Sequence, residues 1–293
     1  MKRLFFFSLL SFVLFSCGNN SNTAGNSDTT SVASDTSSPG STSGFTLGVQ
    51  MWTFNHFTFS EALDKVDSAG IKNIEAFWGQ KLGGGLPGEF GADMNADTRS
   101  KLKTLLQKKG ISITAMGVIV PQNKAEWIKA FELAKEFSLS YITCEPIKTQ
   151  WDMIDSLAGV YNINIAIHDH PQPNAYATPD SVLAAVKGHQ HIGSCADVGH
   201  WSRNGVNPVD ALKQLEGHIY GVHLKDIVKF NDTKAADTVV SKGVVDFPAI
   251  FKELKRQNFK GMMSVEHESN WEHNLPDVII TKQFYDEQVA KLK

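Results

Sequence analysis

Five short apolar runs in this 293-residue chain each stop on a side chain that can bind a metal. Tyr141 to Cys144 stops at Glu145, Ile163 to Ile167 at His168, Ile192 to Ala196 at Asp197, Ile219 to Val222 at His223, and Gly261 to Val265 at Glu266. A continuous apolar run of this length reads as a parallel strand buried on both faces. Its terminal ionisable residue sits where the strand leaves the sheet. Strands that all end this way aim their Asp, Glu and His groups at one rim. Carboxylates converging with imidazole suit a divalent cation. For any single residue, a helix cap is the competing explanation. It accounts poorly for Asp197, which is followed by Val198-Gly199-His200-Trp201 rather than by a polar, helix-starting run. It also accounts poorly for Glu266, because His267, Glu268 and Ser269 continue without an apolar stripe.

Strand and helix signals alternate from Phe45 onward. Strands are expected at Phe45–Met51, Asn73–Phe77, Ser112–Gly117, Tyr141–Glu145, Ile163–His168, His191–Asp197, His218–Leu224 and Gly261–Glu266. Helices are expected at Ser60–Ala69, Thr98–Lys109, Lys124–Phe137, Gln150–Val160, Pro179–Lys187, Pro208–Leu215, Phe247–Gln257 and Leu275–Leu292. Gly70 and Gly110 close the first two helices, and Pro179 opens the fifth. Eight β/α units over about 250 residues fit a closed α/β barrel, (β/α)8, better than a doubly wound sheet. Such barrels carry their reactive groups at the C-terminal ends of the strands, which is where these ligand-type residues fall.

The N-terminus reads as a targeting segment. Lys2 and Arg3 precede an apolar stretch from Leu4 to Phe15, which is too short to span a bilayer comfortably. Leu14-Phe15-Ser16-Cys17 resembles a bacterial lipobox, which implies removal of residues 1–16 and lipidation of Cys17. Residues 17–44 are rich in Ser, Thr, Asn and Gly, cannot bury a core, and read as a flexible tether. A lipidated cysteine on a polar leash holds a soluble domain beside a membrane. The expectation is a periplasmic or outer-membrane-anchored lipoprotein, with residues 45–293 as one catalytic domain. Gly18 rather than Asp after Cys17 points to the outer membrane.

A formal net charge of −3, with no Lys/Arg cluster, argues against nucleic acid as a partner. Of the three cysteines, Cys17 is assigned to lipid. Cys144 and Cys195 fall on non-adjacent strands and are expected as buried free thiols.

Asp197-Val-Gly-His200-Trp201-Ser-Arg203-Asn-Gly205-Val-Asn-Pro208, Val222-His223-Leu-Lys225-Asp226 and Ser264-Val-Glu266 resemble the segments around strands six, seven and eight of the sugar phosphate isomerase/epimerase group. These are the xylose-isomerase-like TIM barrels, and the resemblance spans nearly the whole domain from Phe45. It implies one divalent ion held by a Glu, an Asp, a His and a Glu from different strands. Asp197, His223 and Glu266 carry over directly. The first Glu does not, because strand five ends in His168-Asp169-His170-Pro171. Glu145 is the expected substitute and His168 the reserve ligand. The His-x-His pattern resembles a subgroup acting in inositol and keto-sugar breakdown.

Three carboxylates and one imidazole suit Mn²⁺, Mg²⁺, Zn²⁺ or Co²⁺. The reading is a metal-dependent sugar isomerase or epimerase that abstracts a proton next to a carbonyl, through an enediolate. The substrate is a small sugar or keto-sugar. His200 leads as base, followed by Glu145, Glu266 and His170, and Lys225 neutralises charge on the enolate oxygen. Arg203 either grips the substrate or braces its loop. Glu75 either meets the metal region or caps a polar network. Trp52, Trp78, Trp201 and Trp271 offer faces to a sugar ring. The Gly-rich stretch from Gly79 to Gly91 lacks the features of a phosphate loop and is expected as a mobile loop at the site's edge. A lyase or hydratase on 3-keto-glycosides is the alternative, since export favours glycosides over phosphorylated sugars. A non-catalytic sugar-binding lipoprotein is a third reading, which the intact ligand set opposes. A fourth, an apurinic endonuclease, needs more ligands and a basic surface.

Overall fold

The computed structural model describes residues 44–292. Contacts divide the chain into Met1–Pro39 and Gly40–Lys293, and every described residue belongs to the second unit. The expected signal peptide 1–16, the expected lipidation site Cys17 and the expected tether 17–44, apart from Gly44, lie outside the described residues. Among the described residues, no helix is long and apolar enough to cross a membrane.

Eight parallel strands close into a barrel. They are β1 (Thr46–Gln50), β2 (Asn73–Ala76), β3 (Ser112–Ile119), β4 (Tyr141–Cys144), β5 (Asn164–His168), β6 (Ile192–Asp197), β7 (Ile219–Leu224) and β8 (Met262–Val265). Each strand pairs with its sequence neighbours, and β8 returns to β1. The helices are α1 (Phe59–Ser68), α2 (Ala96–Lys109), α3 (Lys124–Glu136), α4 (Trp151–Tyr161), α5 (Pro179–Val186), α6 (Val198–Arg203), α7 (Pro208–Gln214), α8 (Phe247–Arg256) and α9 (Leu275–Lys291). The expected (β/α)8 barrel is therefore the observed fold, with element limits moved by a residue or two.

Local chemistry explains these limits. Thr58 and Glu61 form a reciprocal capping box at the start of α1, satisfying two otherwise orphaned amides. Asn95, Asn123 and Asn207 cap α2, α3 and α7 through their side-chain oxygens. Gly110 ends α2 in the left-handed conformation, at φ 61°, where a side chain would add strain.

Two expectations need correction. Asp197 does cap a helix: its Oδ1 accepts from His200 N at 2.8 Å and starts α6. No polar, helix-starting run follows it because all six residues of this short helix are buried, leaving no solvent face to mark with charge. The Gly-rich stretch is not a loose loop either. Lys81–Gly83 pairs with Leu86–Glu89 as an antiparallel hairpin.

The apolar residues form two cores. The larger lies between sheet and helices. A smaller one fills the barrel interior with Ala115, Tyr141, Ala166, Cys195 and Met262. Space inside is tight: a Cβ on Gly221 would lie 2.5 Å from the Tyr141 hydroxyl, so the ring needs glycine there. Cys144 and Cys195 are buried free thiols, on β4 and β6 with β5 between them. The strand register sets the site. Asp197 is paired with His223, and Ser264, two residues before Glu266, is also level with His223. Side chains two apart share a face, so the three ligand-type residues all point into the mouth.

Candidate metal centre

One atom each from His168, Asp197, His223 and Glu266 lie within 4.8 Å of one another. His168 Nε2 is 3.1 Å from His223 Nδ1, 3.7 Å from Asp197 Oδ2 and 3.9 Å from Glu266 Oε2. His223 Nδ1 is 2.8 Å from Glu266 Oε2 and 3.8 Å from Asp197 Oδ2. Metal–ligand bonds of about 2.1 Å in a tetrahedron put neighbouring ligand atoms about 3.4 Å apart. The separations here straddle that value.

Hydrogen bonding makes the same point. Asp197 Oδ2 and Glu266 Oε2 are buried and have no hydrogen-bond partner. A buried carboxylate oxygen is costly unless a cation meets it; the Lys225 ammonium stands 3.4 Å from Asp197 Oδ2 and 3.3 Å from Glu266 Oε2, and both oxygens remain open to a metal as well. The far sides of His223 and Asp197 are satisfied, whereas His168 Nδ1 is buried without a hydrogen-bond partner. His223 Nε2 faces Glu75 Oε2 at 2.9 Å, so in the neutral ring Nε2 carries the proton and Nδ1 is free to meet a cation. Asp197 Oδ1 is used by the α6 cap, and the Asp197 amide donates to Asp169 Oδ1 at 2.8 Å. The donor set of two imidazoles and two carboxylates fits a divalent ion.

The fourth ligand position corrects the sequence reading. The four-residue cluster takes in His168, the reserve ligand, and not Glu145, which groups instead with His168 and His170. The four members come from β5 to β8, which are neighbours in the barrel, and a compact tetrahedron draws on adjacent strands. Glu145 is one strand further round. Its Oε1 lies 3.9 Å from His168 Nδ1 and contacts His170 Nδ1, while Oε2 accepts from Asn174 Nδ2 at 2.8 Å. Burial pushes the Glu145 carboxyl up, but His168, His170 and Asn174 outweigh it and hold it well below the usual range.

Lys225 is fully buried, its Nζ 3.4 Å from Asp197 Oδ2 and 3.3 Å from both Glu266 Oε2 and Glu268 Oε1. Burial alone would lower the ammonium's pKa, but the surrounding acids Asp197, Glu266 and Glu268 raise it, so it stays charged. The same ammonium lies 3.0 Å from His200 Nε2, and Arg203 Nη1 lies 2.9 Å from His200 Nδ1. A neutral ring offers one acceptor nitrogen, so only one of these two cations donates to His200 at a time. These contacts crowd His200, the expected base, and burial, helped by Lys225, His168 and His170 against Asp197, favours its neutral ring. Arg203 is a brace, holding His200, the Ala235 carbonyl at 3.0 Å and Asp237.

The remaining candidates divide between floor and rim. Glu75 is fully buried beneath His223 and supports that ring rather than facing substrate. Trp201 is fully buried in the outer core, so its ring is closed to a sugar. Trp52 and Trp78 lie at the rim. Trp52 is 37% exposed, and Trp78 walls a cleft with Phe90, Ala92 and Asp93. His170 is the accessible imidazole, 40% exposed at its side chain, with ring centroids 4.6 Å from His168 and 4.9 Å from His200. Sequence reasoning passed over Asp169, Asn174, Asp237 and Glu268. Only Asp169, beside His168 at a strand end, carried a usable signal.

The profile of the xylose isomerase-like TIM barrel family matches residues 63–283, and the chain belongs to that family. An inosose dehydratase of Clostridium botulinum (strain Eklund 17B / Type B) is 30% identical over 132 residues, covering 40% of this chain and 44% of the relative. The chain thus matches less than half the length of this curated relative. A solved uncharacterized protein of Parabacteroides distasonis ATCC 8503 is 34% identical, with a TM-score of 0.69 over 83% of this chain and 99% of that one. The IolI protein, solved with a zinc atom, is 19% identical at a TM-score of 0.67 over 85% of this chain and 99% of that one, a likeness of fold.

Proposed function

We propose that this protein is a divalent-metal-dependent enzyme that removes a proton from the carbon next to a carbonyl in a sugar-derived ketone. The observation that carries the reading is the set of four converging ligand atoms, two of them buried carboxylate oxygens with no hydrogen-bond partner. A divalent ion there would supply Lewis acidity toward a carbonyl oxygen. The zinc atom in the IolI structure supports the choice of cation class.

The chain's own groups divide the remaining work. Lys225 brings a permanent positive charge beside Asp197 and Glu266, where it offsets negative charge developing on substrate oxygen. Arg203 and Lys225 together fix His200. Glu145 holds His170 through Nδ1, which leaves His170 Nε2 to exchange a proton with substrate. Because Glu145 stays ionised, it accepts from His170 and orients that ring.

If the proton returns to a neighbouring or inverted carbon, the reaction is an isomerisation or epimerisation. A second reading, loss of water or of another leaving group from the adjacent carbon, is favoured by His170 and Glu145. One imidazole with one carboxylate can take the proton and then hand it to the departing oxygen. The inosose dehydratase relative points the same way. The test is NMR in D₂O of the metal-loaded protein with ketoses, inososes and keto-glycosides. Deuterium entry without net loss of a group supports isomerisation or epimerisation, and an unsaturated product supports elimination. Absence of both across the panel rejects the reading.

The location is a proposal of its own, resting on the lipobox-like Leu14-Phe15-Ser16-Cys17 and the polar stretch after it. Cys17→Ser is expected to move the protein from the membrane fraction to the soluble periplasm. Wild-type protein recovered from the cytoplasm would refute this.

A further inference from the structure

Six of the eight exposed large apolar side chains among the described residues lie in loops that follow barrel strands: Trp52, Val120, Ile147, Val228, Phe230 and Val244. These segments leave the C-terminal ends of the strands, the same ends that carry the four-residue cluster. Exposed apolar surface concentrated beside a site marks binding. Trp52 is held by its backbone. Its amide is held by Gln50 Oε1 at 3.1 Å, and its carbonyl accepts from Asn55 N at 3.0 Å. The next residue, Thr53, donates to Val265 O at 3.2 Å and accepts from His267 N at 3.1 Å, so it brackets the ligand Glu266. The Trp52 ring nevertheless stays 37% exposed, set edge-on to Phe77 at 4.7 Å and to Trp271 at 6.4 Å. Trp271 is stacked on His56 at 5.4 Å, and His56 Nδ1 lies 2.7 Å from Glu272 Oε1.

We infer that Trp52, Phe77 and Trp271 form a second subsite, which takes the ring attached to a keto-sugar whose carbonyl lies at the four-ligand cluster. The substrate class is then a glycoside, a disaccharide or an aryl glycoside, rather than a free monosaccharide. The inference rests on the proposed function for the identity of the first ring. The subsite itself stands on the rim geometry. A sugar's C–H face and an aromatic aglycone both match a rigid indole. The hydrogen bonds around Glu266 tie the spacing between cluster and shelf to the barrel frame, so a two-ring ligand meets a preorganised surface.

The experiment uses glycosides that carry no carbonyl, so it reads the shelf whether or not the proton chemistry is right. Binding of methyl β-glucoside, cellobiose and phenyl β-glucoside to the full-length, metal-loaded protein is measured by calorimetry and ligand-observed NMR. Cellobiose and phenyl β-glucoside are expected to bind about tenfold more tightly than methyl β-glucoside, the scale of one aromatic stacking contact. Trp52→Ala is expected to remove most of that gain, and Trp52→Phe to keep part of it, both with unchanged melting temperature. Equal affinity for all three, a gain that survives in both Trp52→Ala and Trp271→Ala, or no binding of any of them overturns the subsite. Self-association lost in Trp52→Ala would assign the shelf to a second copy of the chain and also overturn it. Binding as expected, with no deuterium exchange on any ketone, would keep the subsite and reject the proposed chemistry.

Discussion

Glu75 Oε2 lies 2.9 Å from His223 Nε2 at the bottom of the site, while His223 Nδ1 faces the other three ligand atoms. The carboxylate sets which imidazole nitrogen is bare. Its other oxygen, Oε1, is buried without a partner, so the group has no competing contact to draw it away. Outer carboxylates of this kind typically change metal affinity about 10–100-fold. Glu75→Gln is expected to weaken divalent binding by that factor while preserving the fold, as read by chelator competition and circular dichroism. Unchanged affinity would show that His223 needs no such support.

His168 and Glu145 are expected to separate cleanly. His168→Asn removes a ligand atom and is expected to lose the metal. Glu145→Ala is expected to keep close to one ion per chain but to lose turnover by about 10²–10⁴-fold, the usual contribution of general acid–base catalysis. Elemental analysis beside kinetics distinguishes the two. Metal retained in His168→Asn and lost in Glu145→Ala would reverse the assignment.

The cluster also predicts a pH dependence. Burial pushes Asp197 and Glu266 up, but His200 and Lys225 beside Asp197, and Lys225 and His223 beside Glu266, hold both well below the ordinary carboxylate range. Lowered carboxylates contribute stability that is present above the unfolded value of about 4 and lost as pH falls through the folded one. His168 and His223 run the other way. Burial pushes both down, yet Asp197, Glu145 and Glu266 raise His168, and Cys195, Glu75 and Glu266 raise His223. Their contribution is complete below about pH 6.5 and is lost as pH rises through the raised values. Chelated protein is therefore expected to melt highest between about pH 4.5 and 6.5. A bound divalent ion replaces the imidazole protons and should flatten the alkaline side. Calorimetric melting points with chelator and with Zn²⁺ provide the check. The same alkaline slope in both would count against metal at these residues.

Trp201 and Trp52 should respond oppositely to truncation. Trp201 is fully buried, and Trp201→Ala is expected to cost about 3–5 kcal/mol. Trp52 is exposed at the rim, and Trp52→Ala is expected to stay within about 0.5 kcal/mol of wild type. Urea denaturation measures both. Comparable losses would mean that the rim ring also supports the fold.

Much of this molecule was legible in the chain alone, because its signals are local. Apolar runs ending on Glu145, His168, Asp197, His223 and Glu266 marked strand ends, and Gly110 and Pro179 marked helix limits. Alternation of the two then left a closed barrel as the economical arrangement. Tertiary structure decided which of those strand ends meet. His168 joins the four-residue cluster and Glu145 does not, because β5 to β8 are consecutive in the barrel and Glu145 lies one strand outside them, a relation of neighbours that no single segment encodes. It also decided direction. Asp197 both caps α6 and faces the cluster, His200 is clamped between Lys225 and Arg203, and Trp201 turns into the outer core while Trp52 stays at the rim. Those outcomes depend on the packing around each side chain, and residues of the same type in similar loops can meet quite different surroundings.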